Sequence, residues 1–330
     1  MRAYIIRRVL LVIPTLFLVS IISFFMMRLV PGDIVDTMMF MGSEGGYPDV
    51  EVARQAIEHR LGLDVSIPVQ YGRWMGVIPQ EDGSFRGVLQ GNLGNSLWKG
   101  TPVKEEILNC WLVTLELGLL GLIIAQLIAL PIGIYSALRQ DTWGDYLGRS
   151  FAILCIAVPG FWLGTMVIVL PAVWWDYMPS ITLIRFTEDP IGNLKMFVMP
   201  AIVLGMALSG LTMRMTRTMM LEVLRQDYIR TAWAKGLRER TMVMRHALKN
   251  ALIPIITVVG LQMPILVGGT VIVEQIFCLP GMGRLILSSI QSRDYTIVSG
   301  TVLVFSVALA FINLIVDLAY GYLDPRIQYK

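Results

Sequence analysis

Long apolar blocks separated by short polar stretches set the character of the chain. A helix needs about 20 mostly apolar residues to cross a hydrocarbon core of about 30 Å, and six segments reach that size. The first, 9–27, carries no charge and follows Arg2, Arg7 and Arg8. It reads as an uncleaved anchor, because its 19 residues exceed a usual leader core and no small-x-small site precedes Pro31-Gly32. The second, 108–138, is longer than the bilayer core and holds Pro131 as a kink site. The third, 150–173, ends at Trp174 and Trp175, an interfacial aromatic anchor. The fourth is 196–213. The fifth, 251–273, is expected to break at Pro254 and Pro264, and the sixth is 296–320. The pattern predicts an all-α membrane protein of six transmembrane helices.

Two polar stretches interrupt this series. In 28–104, nine acids face seven bases, and Val52, Ala53, Ala56, Ile57 and Leu61 recur at helical spacing. A short amphipathic helix is expected after Pro48. A loop of this length has either a functional role or that of a packed cap, and both readings stay open. In 214–250, nine bases (Arg214, Arg217, Arg225, Arg230, Lys235, Arg238, Arg240, Arg245, Lys249) oppose Glu222, Asp227 and Glu239. Met220, Val223, Leu224 and Tyr228 share one helical face, Gly236 interrupts, and 239–249 is expected to form a second helix. This stretch is either a basic face against anionic lipid or a docking element for a cytoplasmic partner.

Composition strengthens the membrane reading. The 330 residues are 55% hydrophobic and 15% charged, where a soluble domain carries about 25% charged residues. Mean hydropathy is +0.65. With the N-terminus in the cytoplasm, the N-tail, 139–149, 214–250 and the C-tail hold 16 of the 27 Lys and Arg. Positive residues in short loops stay inside, so both termini are expected to be cytoplasmic and 28–104 to be a large external loop. The organisation expected is 1–107, an N-terminal helix plus external loop, and 108–330, a five-helix core with 214–250 between helices 4 and 5.

Catalytic chemistry is sparse. Cys110, Cys155 and Cys278 have neither metal-ligand nor disulfide-framework spacing, and Cys155 reads as a small buried hydrophobe. His59 and His246 lie outside the spans. No GxxxxGK[ST], GxSxG or HExxH occurs, so ATP, if it drives the protein, binds another subunit. Nothing points to a nucleic-acid partner. Ionisable and amide groups in or beside spans are candidates for a pathway or gate: Glu116, Glu274, and Asp317 with Asn313 one turn before it. They form no chain across the membrane, and no matched pair of broken helices marks a carrier. Glu116 and Asp317 also read as structural groups bonded to neighbouring helices. The classes left open are an ATP-driven importer subunit, an ion-coupled secondary carrier using Glu116 or Asp317, and a non-transporting membrane scaffold.

Several motifs narrow the choice. Tyr228-Ile-Arg-Thr-Ala-Trp-Ala-Lys-Gly236, continuing through Arg245-His-Ala-Leu-Lys-Asn-Ala-Leu-Ile-Pro254, resembles the coupling region of binding-protein-dependent ABC permeases. The likeness is to the B-type subunit of the dipeptide/oligopeptide/nickel branch. Matching pieces run along the chain: Ile6-Arg-Arg-Val, Ile13-Pro-Thr, Arg28-Leu-Val-Pro-Gly-Asp33, Leu61-Gly-Leu-Asp64, Pro68-Val-Gln-Tyr71, Gly91-Asn-Leu-Gly-Asn-Ser96, Thr114-Leu-Glu-Leu117, Pro280-Gly-Met-Gly-Arg284, Arg293-Asp-Tyr295, Asn313 to Asp317 and Leu323-Asp-Pro-Arg-Ile327. Arg230 and Lys249 stand where the broader consensus has an acid and a proline, and Trp233 where the branch commonly has a base. The resemblance implies a second, C-type permease, two P-loop ATPase subunits that hold ATP and Mg, an external substrate-binding protein, and a prokaryotic inner or plasma membrane. It implies no cofactor in this chain. Coupling residues on this reading are Tyr228, Arg230, Thr231, Ala232, Lys235 and Gly236. The turn-rich segment Phe277-Cys-Leu-Pro-Gly-Met-Gly-Arg284 reads either as a short re-entrant piece near an outer gate or as an ordinary loop, with Arg284 or the preceding Glu274 as a contact for substrate or the binding protein. Peptides are the expected solute, with nickel complexes, glutathione and oligosaccharides as alternatives.

Overall fold

The computed structural model describes residues 2–29, 34–42, 50–180, 182–268 and 270–323. Among them the chain is helical, with one isolated bridge between Asn95 and Pro102. The first helix, α1 (Arg2–Leu29), holds the apolar stretch Leu10–Met26. Three short helices follow: α2 (Ile34–Gly42), α3 (Val50–Arg60) and α4 (Ile67–Met75). Then come α5 (Val103–Leu138), α6 (Trp143–Ala157), α7 (Gly160–Trp175), α8 (Pro190–Leu224), α9 (Asp227–Ala234) and α10 (Glu239–Thr241). A π-helical stretch, Met242–Ala247, leads into α11 (Leu248–Gln262). The chain closes with α12 (Ile265–Gly268), α13 (Val271–Ile276), α14 (Met282–Gln291) and α15 (Tyr295–Leu323). Among the described residues, four helical rods are long and apolar enough to cross a membrane, or five counting the bent pair α6–α7 as one.

The spans depart from the apolar pattern in several places. The third block is two helices at 99° to each other. Val158 precedes Pro159, and both take extended backbone at the joint, because proline crowds the helical conformation of the residue before it. In the fifth block Pro254 stays inside α11, and at Met263-Pro264 the regular helix gives way to a single turn without ending the rod. The expected separate helix over 239–249 runs on into the fifth block, giving one rod, Glu239–Gly268. Pro131 likewise lies inside an uninterrupted α5. The helix expected after Pro48 forms as α3, but none of its residues is buried and Val52 is 62% exposed. Pro31 to Asp33, Pro48 and Asp324 to Ile327 lie outside the described residues.

The chain gathers into two compact units. One comprises residues 1–111 and 284–310, the other residues 112–283 and 311–330. In the first, α4 is fastened to α1. Tyr71 shares a hydrogen bond with Ser20 (2.8 Å), and the Arg28 guanidinium lies 3.6 Å above the Phe24 ring while donating to Gln70 Oε1 at 2.6 Å. Nearby, His59 Nδ1 sits 2.8 Å from Asp64 Oδ2, and Glu81 accepts from Arg73 at 3.1 Å. The Asp64 hydrogen bond, helped by the charge of Glu81, raises the His59 pKa, and the same bond lowers that of Asp64.

Asp294 closes this unit. Its side chain is buried, and Oδ2 accepts from the Ser96 hydroxyl (2.6 Å) and the Leu97 N–H (3.1 Å). Its Oδ1 caps α15 by accepting from the Ile297 N–H at 3.2 Å. Trp98 Nε1 donates to the Ser292 carbonyl at 2.7 Å. Residues 91–98 and 292–297 are thus pinned together across almost two hundred residues of sequence. Asp294→Ala leaves buried donors without an acceptor and should cost about 3 kcal/mol. The check is limited proteolysis of the purified chain: cleavage within 85–102 should accelerate sharply, and an unchanged pattern contradicts the clasp.

In the second unit, α6 and α11 both pack on α8. One core joins Val113 and Leu117 of α5 to Phe197, Ala201 and Leu204 of α8, with Val273, Phe277 and Leu279. A second joins Ala137, Met220, Ile229 and Ala232 to Met242, Val243 and Ala247.

Candidate functional site

Three constellations position the candidate residues. The first is α9. It leaves α8 after only Arg225 and Gln226, and Gln226 takes extended backbone to turn the chain. Ile229 and Ala232, three residues apart, are buried in the second core. The opposite side carries Tyr228 (44% exposed) and Trp233 (51% exposed), with Arg230, Thr231 and Lys235 also exposed. Asn250 Nδ2 donates to the Tyr228 hydroxyl at 2.8 Å, tying α9 to α11. Arg230 makes only an exposed contact with Asp227 at 3.3 Å, and Thr231 caps back onto the Asp227 carbonyl. Gly236 ends the element at φ +74°, donating its N–H to the Trp233 carbonyl at 2.9 Å. Left-handed backbone of this kind favours glycine. The result is a short helix with one face locked to the core and the other open, presenting aromatics among bases.

The second constellation is the turn between α13 and α14. Glu274 is completely buried. Its Oε1 accepts from the Thr114 hydroxyl (2.7 Å) and the Thr270 hydroxyl (2.6 Å), and its Oε2 from the Gly283 N–H (2.8 Å). Thr114 Oγ1 accepts in turn from the Met282 N–H at 2.8 Å. Gly281 lies against the carboxyl group: a Cβ there would stand 2.3 Å from its carbon. Phe277, Leu279 and Met282 are buried, so the turn is folded in rather than loose. Thr114-Leu-Glu-Leu117 and Pro280-Gly-Met-Gly, far apart in sequence, are brought together by this carboxylate.

The third is an ion pair at the end of α8 that carries α9. Asp145 is completely buried and accepts from Arg217 Nε and Nη2, both at 2.7 Å. The Ser136 hydroxyl and the Asp141 N–H (3.0 Å) complete its shell. Such a forked pair fixes geometry as well as charge.

The remaining candidates are spread out. Glu116 is half-buried on α5 and engages Asn193 of α8. Asn313 is exposed and Asp317 half-buried, one turn apart on α15. Arg284 is half-buried at the start of α14. Cys155 is buried, as its apolar surroundings imply, and none of the three cysteines takes part in a disulfide. Sequence reasoning missed Asp145, Arg217, Thr114 and Asp294 as anchoring groups, and Gln262, whose amide donates to the Leu208 carbonyl at 3.0 Å. Asp145 carried a readable signal: it is the one acid of α6, in the first turn of a helix whose second half is apolar.

Comparison with known proteins gives this geometry its context. The profile for "Binding-protein-dependent transport system inner membrane component" matches residues 129–329, and the N-terminal profile of the same transport systems matches residues 1–118. The chain belongs to that family. It is a multi-pass inner-membrane permease of the ABC importer type, and the family's permeases are not themselves catalytic. The permease is 37% identical over 329 residues to a putative peptide transport system permease protein of Brucella abortus, with 100% of both chains covered. It is 38% identical over 349 residues to a dipeptide transport system permease protein of Alkalihalophilus pseudofirmus, again with 100% of both covered. A glutathione transport system permease protein of Salmonella paratyphi A is 36% identical over 327 residues, 99% of each chain. Among solved structures, an amino acid ABC transporter superposes with TM-score 0.53 at 12% identity, covering 66% of this chain and 94% of that one. That likeness concerns the fold.

Proposed function

We propose that the permease is the B-type subunit of a binding-protein-dependent importer of di- or oligopeptides. It crosses the membrane six times with both termini in the cytoplasm, pairs with a C-type permease to form the path, and is driven by two P-loop ATPase subunits that hold ATP and Mg. An external binding protein delivers the solute. The observation that carries the reading is α9, whose buried Ile229 and Ala232 anchor it while Tyr228, Arg230, Thr231, Trp233 and Lys235 stay open to a partner. A rigid helix ending in a glycine turn suits a groove on an ATPase: closure of the ATPase pair then moves the helix together with α8. ATP binds one global state better than the other, and that difference supplies the driving force. The bias of bases toward one side supports the orientation. The curated relatives, named for peptides, dipeptides and glutathione, support peptides as the solute class. Residues Glu116, Asn313 and Asp317 lie on helices that would face the path, and Glu274 and Arg284 flank its outer turn.

The test is purification of the tagged chain from its native membrane in mild detergent, with mass spectrometry of what accompanies it. A second permease and P-loop ATPases in near-equal amounts are expected. A chain recovered alone, with uptake that persists without ATP and fails on neutralising Glu116 or Asp317, overturns the reading in favour of an ion-coupled carrier.

A further inference from the structure

We infer that the buried Asp145–Arg217 pair is the positioning element that makes α5, α6 and α8 move as one body, so that work done on α9, which follows α8 after two residues, reaches the spans. The inference rests on the importer reading above.

The geometry is specific. Asp145 has zero side-chain exposure, and its four hydrogen-bond donors come from three elements. Ser136 lies in the last turn of α5, the Asp141 N–H in the α5–α6 turn, and Arg217 on α8, with Asp145 itself on α6. One carboxylate therefore ties three helices. Arg217 precedes the first residue of α9 by ten positions, and the buried face of α9, seated against the π-helical stretch Met242–Ala247, shares one core with Ala137 and Met220, one residue from Ser136 and three from Arg217. The clamp and that core meet on α5 and α8.

A buried ion pair is a poor way to gain stability, because desolvation offsets most of the attraction, and an apolar trio of the same volume does as well. It differs from an apolar contact in one respect. An apolar contact can be satisfied by more than one packing, whereas a two-pronged guanidinium–carboxylate contact holds only in one register. Displacement that α9 passes to α8 must therefore carry α5 and α6 along or break a buried pair. Beyond α6 the chain turns by 99° at Val158-Pro159, so displacement of α6 is passed to α7 at a fixed corner. The exposed contact between Arg139 and Glu239, at 3.9 Å, has no such grip.

The test uses the assembled complex in nanodiscs, with ATP hydrolysis measured with and without its external binding protein as purified. Three graded variants are compared with wild type: Ser136→Ala removes one donor, Arg217→Lys keeps the charge but loses the fork, and Asp145→Asn loses the charge. The stimulation of hydrolysis by the binding protein should fall in that order, by about fivefold or more for Arg217→Lys, while subunits still assemble at equal ratios. If Asp145→Asn fails to assemble, the two milder variants decide. Wild-type stimulation in Arg217→Lys overturns the inference. So does a parallel loss of assembly, unstimulated hydrolysis and stimulated hydrolysis with their ratio unchanged, because that is the signature of a purely structural role. A wild-type complex that binds no ATPase, or is not stimulated at all, sinks the importer reading instead.

Discussion

Gly236→Pro should abolish productive transport while leaving the permease in the membrane. Gly236 sits at φ +74°, and proline is restricted to about −65°. The substitution also removes the N–H that donates to the Trp233 carbonyl. A residue that resists left-handed backbone costs about 1–2 kcal/mol in this turn, which lowers the population of the native α9 geometry by about 5- to 30-fold. No atom stands within 4 Å of a Cβ built at this position, so crowding plays no part. Gly236→Asn, which tolerates left-handed backbone, should therefore retain most transport, and Gly236→Val should resemble proline. The readout is ATP-dependent peptide uptake into vesicles beside immunoblot quantification of the chain. Equal uptake by the asparagine and valine variants removes backbone conformation as the cause. Wild-type uptake in the proline variant removes the turn from the mechanism altogether.

The second large effect is expected at Glu274. Its carboxylate accepts three hydrogen bonds inside a site with no exposure. Glu274→Ala leaves two threonine hydroxyls and the Gly283 N–H without that acceptor and opens a cavity beside Gly281. Together these should destabilise the second unit by about 3–5 kcal/mol. Thr114→Val, which removes one donor to the carboxylate and the acceptor for the Met282 N–H, should cost about 2 kcal/mol. Thermal unfolding of the detergent-purified protein should show both losses in that order, and their double variant should fall short of the sum because the two residues share one network. A Glu274→Ala protein that melts with wild type would mean that the turn is held by its apolar contacts alone.

Much of this molecule was legible in the sequence, and the limits are instructive. Apolar length marked the rods because burial in lipid depends on composition. It could not mark the corner at Val158-Pro159, since a proline inside an apolar run can either continue a helix, as Pro254 and Pro131 do, or break it. What separates the cases is whether the preceding residue can leave helical backbone without losing its packing, and that is a tertiary property. The α9 element was readable from Gly236 and the spacing of its motif. Its division into a locked face and an open face needed the core formed with Met242 and Val243. Glu274 stood out as a charge beside a span, but its partners Thr114 and Gly283 are separated from it by sequence distances that no periodicity reports. The 28–104 loop read either as a functional element or as a packed cap. Its fastening comes from Arg28, Tyr71 and Asp294, whose contacts span sequence distances that no local pattern reports.

The length of α8 has a consequence of its own. Its 35 residues run without interruption into the two-residue link before α9, a rod of about 52 Å at about 1.5 Å per residue. Along such a rod, angle is locked to length: adding one residue advances everything beyond it by about 1.5 Å and rotates it by about 100°. Loops forgive insertions, but here a single added codon between Thr212 and Leu224 would swing Arg217 or α9 out of phase with its seat. The outward-facing side chains of this segment can change without disturbing either contact, yet its residue count can change only by abandoning the register on which Asp145, Ile229 and Ala232 depend.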